Sequence, residues 1–348
     1  MGLTTTNWVT MASGEIMRII VTLWLLVFMA SASAHHSRSH YSQDIQEIEG
    51  ELVAVHWVNP HVGFTVKVVN ENGEEELWRV EGISNLSGMH RGGVTSDAFT
   101  IGERVRAVGS PSVRRPRDLL TTNLLLADGT EILLSRNAEP YWSEEDVNAA
   151  PSMAASGTVD AASENRGIFR VWSAVPDGVG QRTQFPFTES AIAARDAWDP
   201  IDNFAERCEP EGMPRIMRNP HPFEFVDNGT EIAMLSELYD LVRTIHMDRS
   251  APPADAPASP LGYSTGRWEG DTLIVATTLI DWPYFDNIGT PQTESVQMRE
   301  TFTVSADQGR LDYRLTVTDP TTFSEPAVYE RYWLALGESI ELYDCQVY

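Results

Sequence analysis

The chain has 348 residues, enough for two domains of ordinary size with substantial apolar cores. Against 50 acidic residues stand only 25 basic ones, giving a formal charge of -25, and Lys67 is the only lysine. That balance excludes general nucleic-acid binding, which needs a net basic surface to neutralise phosphate, and describes a highly solvated exterior.

The first legible element is an export signal. In "LWLLVFMASASAHHSRSH" an apolar run from Ile19 to Ala30 follows a lone Arg18, and Ala32 and Ala34 occupy the A-x-A positions of a cleavage site. The polar stretch before Met17 leaves Met17 as an alternative start. We expect residues 1–34 to be a signal peptide and the mature chain to be periplasmic or secreted. The apolar run falls short of the roughly 20 residues of a bilayer span, so no transmembrane anchor is expected. In an oxidising compartment the two cysteines, Cys208 and Cys345, are expected to form a disulfide. Its loop of 137 residues would contribute about 4 to 5 kcal/mol in the chain-entropy model.

Cleavage after Ala34 makes His35 the first residue, followed closely by His36 and His40. A free amine beside an imidazole chelates Cu(II), and His36, His40 or His61 would complete the square; cleavage after Ala32 would instead give a third-position histidine, another copper-binding arrangement. The bland alternative is a mobile polar tail.

Residues 35–136 alternate in short β-like runs: "IEGELVAVHWV", "VGFTVKVVN", "EELWRVEG", "ERVRAVGS" and "LLTTNLLLADGTEILL", with a short helix at "SNLSGMHRGG" between the third and fourth. A helix at that point is the order of a small OB-like barrel. Strand alternation puts His56 on the core face with Leu52, Ala54 and Val58, and His61 on the opposite face with Thr65 and Lys67. Arg104, Arg106, Arg114, Arg115 and Arg117 surround the loop between the last two strands. They form a local basic patch for an anionic ligand or, more simply, an exposed loop paired with nearby acids. Residues 137–165 turn rich in Ala, Ser and acids and read as a linker.

Residues 166–348 open with "RGIFRVWS" and a helical stretch from Thr188 to Cys208, broken where Asp199 caps a turn starting at Pro200. Strands follow at "FEFVD", "EIAMLSEL", "DLVRTIHMD", "GYSTGRWE", "TLIVATTLI", "VQMRETFTV", "RLDYRLTVT", "AVYERYWLAL" and "IELYDC". Their spacing predicts an antiparallel meander, as a lipocalin-like barrel or a sandwich. His246 and Asp248 share one strand face, near Arg267, Glu269 and Asp271, and would orient a base or serve as a structural pair. Trp268 is expected in the core. Trp282, Tyr284 and Phe285 in "DWPYFDNIG" read equally as the mouth of a ligand pocket or a core plug.

The motifs "AHHS", "HWVNPHV", "IFRVWS", "CEPEGMPRIMRNPHPFEF", "RTIHMD", "GYSTGRWEGDTLIVATT" and "TVTDPTTFSEP", with a cysteine near the C-terminus, resemble a family of exported bacterial proteins. Its members combine an AHHS-type domain of unknown function with an uncharacterised β-rich C-terminal domain. The resemblance implies the same architecture and export, and transfers no catalytic residues. Three functions are therefore weighed: a periplasmic binding protein for a small molecule or Cu(II), an enzyme centred on His246 and Asp248, and a structural or interaction protein of the cell envelope.

Overall fold

The structure, a computed structural model, describes residues 41–135, 138–143, 147–148, 166–179, 184–199 and 202–345. His35, His36 and His40 lie outside the described residues. Among those described, no helix is long and apolar enough to cross a membrane.

The first domain is built from β1 (Gln46–His56), β2 (Gly63–Val69), β3 (Glu75–Glu81), helix α1 (Leu86–Arg91), β4 (Arg104–Pro111) and β5 (Asp118–Leu125). β1 pairs with β2 and β4, β2 with β3, β4 with β5, and a parallel β3–β5 pairing closes the ring. This is the five-stranded OB-like barrel expected from the position of α1. Closure brings β1 and β2 so near that a Cβ on Gly50 would lie 2.2 Å from the Lys67 carbonyl oxygen. Only glycine fits there. Alternating residues Leu52, Phe64, Val66, Val80, Leu119 and Leu124 fill the interior.

Two short strands, β6 (Glu131–Leu133) and β7 (Val147–Asn148), extend this sheet beyond β5. The region expected to be a free linker is therefore tied at its start. The buried Glu131 carboxylate accepts from the backbone N–H groups of Tyr141, Trp142 and Ser143 and from the Asn123 amide. Burial pushes the Glu131 carboxyl up, but these donors outweigh it and hold it below its ordinary range.

His56 departs from the expected core position. A bulge between Leu52 and Ala54 breaks the alternation of β1, so Val55 packs inward while His56 is exposed and meets Thr65 Oγ1 at 3.3 Å.

The second domain opens with β8 (Val171–Val179) and helix α2 (Glu189–Asp196), which Thr188 caps by accepting from Ala191 N–H. A 3-10 turn at Phe204–Arg207 is capped by Asn203, while Pro200 lies outside the described residues. Then come β9 (Phe223–Asp227), β10 (Glu231–Ser236), β11 (Leu241–His246), β12 (Tyr263–Glu269), β13 (Thr272–Thr278), β14 (Gln297–Val304), β15 (Arg310–Thr318) and β16 (Ala327–Leu334). They close into a nine-stranded barrel, with β8 inserted between β16 and β9. The pairing is antiparallel except at β11–β12, where the long intervening loop lets the strands run parallel.

Two strand assignments change as a result. β8, part of the lead-in, supplies the ninth strand, and "IELYDC" is no strand because the ring is already closed beside β16. That tail is held instead by carboxylates: Glu341 N–H donates to Glu237 and Tyr343 N–H to Asp240. Its end is fixed by the Cys208–Cys345 disulfide, with Cα atoms 5.8 Å apart.

Side chains pack the barrel interior: Trp172, Phe223, Phe225, Phe302, Tyr313 and Trp333. Among them lies a fully buried ion pair between Arg243 and Glu300, completed by Ser264, Thr277 and the Tyr313 hydroxyl. Trp268, expected in this core, is exposed at the rim. It sits next to the β12–β13 turn, beyond the part of β12 that pairs with β11, and the ring meets Phe169.

Candidate functional site

The two barrels meet through α1. Asn85 caps this helix by accepting from Gly88 N–H, and the helix presents Ser87, His90 and Arg91 to the second barrel. Ser87 Oγ donates to Glu237 Oε2 (3.1 Å), Arg91 pairs with Glu338 (2.8 Å) and donates to the Ala174 carbonyl (3.1 Å). Asn59 donates from its amide to the Leu342 carbonyl (3.4 Å).

Beside this contact lies a cleft of about 640 Å³. The small barrel contributes Pro60 and His61 from the β1–β2 turn. The larger one contributes Arg195, Asp196 and Trp198 around the end of α2, then Glu211, Arg215, Asn219 and His221 from "EGMPRIMRNPHP", with Tyr239, Asn287, Ile288 and Tyr343. The segment 211–221 runs through a 3-10 turn at Arg215–Arg218 before β9, which folds its Glu, Arg and His back upon one another.

His221 is the best defined of these groups. Its Nδ1 lies 2.9 Å from Glu237 Oε1, both residues being buried, while Ser87 and the Glu341 N–H donate to the other carboxylate oxygen. The Asn85 amide nitrogen stands 3.3 Å from the same imidazole nitrogen. The shorter contact orients the ring: Nδ1 faces the Glu237 carboxylate, which accepts from it, and Nε2 is turned away from that carboxylate. Tyr343 packs edge-on against the ring at 5.3 Å.

Glu211 is buried, 3.4 Å from Arg215, yet its Oε2 has no hydrogen-bond partner among the described residues, nor has Arg215 Nε. Burial drives the Glu211 carboxyl above its ordinary range, against the opposing pull of Arg215, His221 and Arg218. Burial also raises the phenols of Tyr239 and Tyr343, whose rings pack at 4.6 Å. The cleft lining thus includes a buried carboxyl raised above its ordinary range, a guanidinium and an imidazole held by a carboxylate.

Of the described residues singled out in the sequence, His61 is the one that lines this cleft. Its Nδ1 is 2.8 Å from Glu81, which also accepts from Arg79. The basic patch is met by acids: Arg104 pairs with Glu49, Arg106 with Glu47, Arg115 with Asp118 (2.7 Å) and Arg117 with Glu76 (3.9 Å), while Arg114 is exposed. His246 stacks on Tyr263 and lies 2.9 Å from Glu231, although that contact is not aligned as a hydrogen bond. Asp248 is paired with Arg249 and Arg267 with Glu269, both at the surface. Trp282 and Phe285 are buried, and Tyr284 stacks on Phe204, so the aromatic loop plugs the barrel end while its next residues, Asn287 and Ile288, reach the cleft.

Sequence reasoning missed Glu211, Arg215, His221, Tyr239 and Tyr343 as site residues. The available signal was the density of Glu, Arg and His in a proline-punctuated segment with neither helical nor strand period. One family profile, described as a family of unknown function (DUF6152), matches residues 24–118, from before β1 to the start of β5. No curated protein matches the chain.

Proposed function

We propose that this is an exported binding protein whose ligand, a small carboxylate, is held in the cleft between the barrels. The observation that carries the reading is Glu211 Oε2, a buried polar atom without a hydrogen-bond partner among the described residues, with Arg215 and the cleft-lining His221 near it. An orphaned buried carboxyl is costly, and a ligand that accepts its proton while its own carboxylate meets Arg215 removes that cost. Trp198 lines the same cleft and provides a fluorescence reporter. Titration of the full mature chain with pyruvate and with succinate is expected to give a saturable change. Arg215→Leu weakens it by about tenfold or more, the scale of one lost charge-assisted contact. The absence of any saturable response, or equal affinity in Arg215→Leu, would refute the reading.

A second reading concerns Cu(II) at the mature terminus, with His35 and His36 as ligands and His61 assisting. The supporting observation is the Glu81 carboxylate on His61 Nδ1, the outer-sphere partner that metal-binding histidines commonly use. Processed protein is expected to take up about one Cu(II) per chain. Equal uptake by a form with a tag before His35 would exclude the terminus as the site.

A further inference from the structure

The cleft holds more than a binding surface. Its lining contains no serine, threonine, cysteine or lysine side chain among the described residues, so the common covalent routes through an activated hydroxyl, thiol or amine have no residue to use. What it does contain is a matched set for moving protons. Glu237 holds the imidazole of His221 at Nδ1 and is in turn held by Ser87 and the Glu341 N–H, an arrangement that suits Nε2 to the role of a base. Glu211 offers a carboxyl with one oxygen unpartnered among the described residues, and Arg215 supplies a cation for a substrate carboxylate.

We infer that this cleft, taken as the carboxylate-binding site proposed above, catalyses keto–enol proton transfer on 2-oxo acids. With the substrate carboxylate on Arg215, His221 Nε2 removes a proton from the carbon next to the keto group. The C–H electron pair becomes the C=C bond, the carbonyl π pair takes the Glu211 proton, and an enol, an imidazolium and a carboxylate result. Reversal delivers a proton to the same carbon and restores both residues. No oxidant, reductant or second substrate enters. His221 faces Glu237, Glu211, Tyr343 and Asn85, while Glu211 faces Arg215, His221, Arg218 and the phenols of Tyr239 and Tyr343. Burial raises the Glu211 carboxyl above the usual carboxylate range, which suits it to the role of acid in a cleft that His221 also lines.

The probe is pyruvate. In D2O its methyl protons exchange for deuterium, and proton NMR follows the loss of signal with the full mature chain present. Wild-type protein is expected to accelerate exchange well above buffer, with a rate that falls as pH rises through the elevated Glu211 pKa and that acid loses its proton. Glu211→Gln removes that decline and lowers the rate, and His221→Gln lowers it by roughly 10²-fold or more, the scale of lost general-base catalysis. Because the pH dependence is read on wild-type protein, a poorly folding variant does not obscure it. Saturable pyruvate binding with exchange no faster than buffer overturns the catalytic inference and leaves the binding reading intact. No binding and no exchange overturns both. Exchange that is unchanged in Glu211→Gln and constant with pH overturns the assignment of the acid.

Discussion

The ion pair inside the larger barrel gives a stability prediction that follows from its surroundings. Both Arg243 and Glu300 are fully buried, with the Arg243 guanidinium on Glu300 Oε1 (3.0 Å), Thr277 Oγ1 (2.7 Å) and Ser264 Oγ (3.0 Å), and Tyr313 donating to Glu300 (2.9 Å). Desolvation opposes the charge on Arg243, and Glu300 more than offsets it. Glu300→Gln keeps the shape but strands a buried cation, so the expected cost is about 3–5 kcal/mol. For a domain of this size that corresponds to a fall in melting temperature of roughly 6–20 °C. Replacing both partners, Arg243→Met with Glu300→Leu, removes the charge and the acceptor together. The Ser264 and Thr277 hydroxyls already bond each other at 3.0 Å, leaving mainly the Tyr313 hydroxyl orphaned at about 1–3 kcal/mol. The double variant should therefore be more stable than Glu300→Gln. Urea unfolding of wild type, Arg243→Met, Glu300→Leu and the double variant closes the cycle, with Glu300→Gln measured alongside. A Glu300→Gln protein within about 1 kcal/mol of wild type, or a double variant less stable than that single one, would refute the reasoning.

Three more outcomes are expected. Replacing Cys208 and Cys345 by serine frees a loop of sequence separation 137 and should cost about 2–5 kcal/mol in urea unfolding. Glu211 and Glu338 both have carboxyls raised by burial, so between the unfolded value of about 4.3 and the folded value the native state binds the extra protons. Their contribution to stability is therefore present at low pH and lost as pH rises through the folded pKa. Glu211→Gln should flatten that decline in melting temperature across the same window. Finally, Gly289→Ala places a Cβ 2.1 Å from the Trp198 ring at a φ of +80° and should cost about 1–3 kcal/mol, with a shift in tryptophan emission.

The fold was more legible than the site, for physical reasons that particular residues make plain. Alternation and turn residues report local backbone, and Asn70, whose side chain accepts from the N–H groups of Asn72 and Glu74, marks the β2–β3 hairpin from sequence alone. The helix at Leu86–Arg91 carries its own cap in Asn85. Alternation fails where a bulge shifts the phase, as for His56, and where a strand runs past its pairing with one neighbour, as for Trp268. Ring closure is a long-range fact: only the three-dimensional pairing of β8 with β16 and β9 shows that "IELYDC" has no edge left to join. The site is assembled from Glu211, His221, Tyr239 and Tyr343 with Ser87 behind them, so its chemistry depends on separations such as the 150 positions between Ser87 and Glu237. No spacing pattern encodes such a meeting.

The bond at Cys345 also has a consequence for timing. The tail it secures supplies Tyr343 to the cleft and, through the Glu341 N–H, one of the donors that hold Glu237 against His221. While both thiols are reduced, this wall of the cleft has only non-covalent contacts to keep it in place. Oxidation anchors it. With the export proposed above, a chain whose thiols are still reduced would carry an unfinished cleft, and completion of this wall would follow oxidation rather than synthesis.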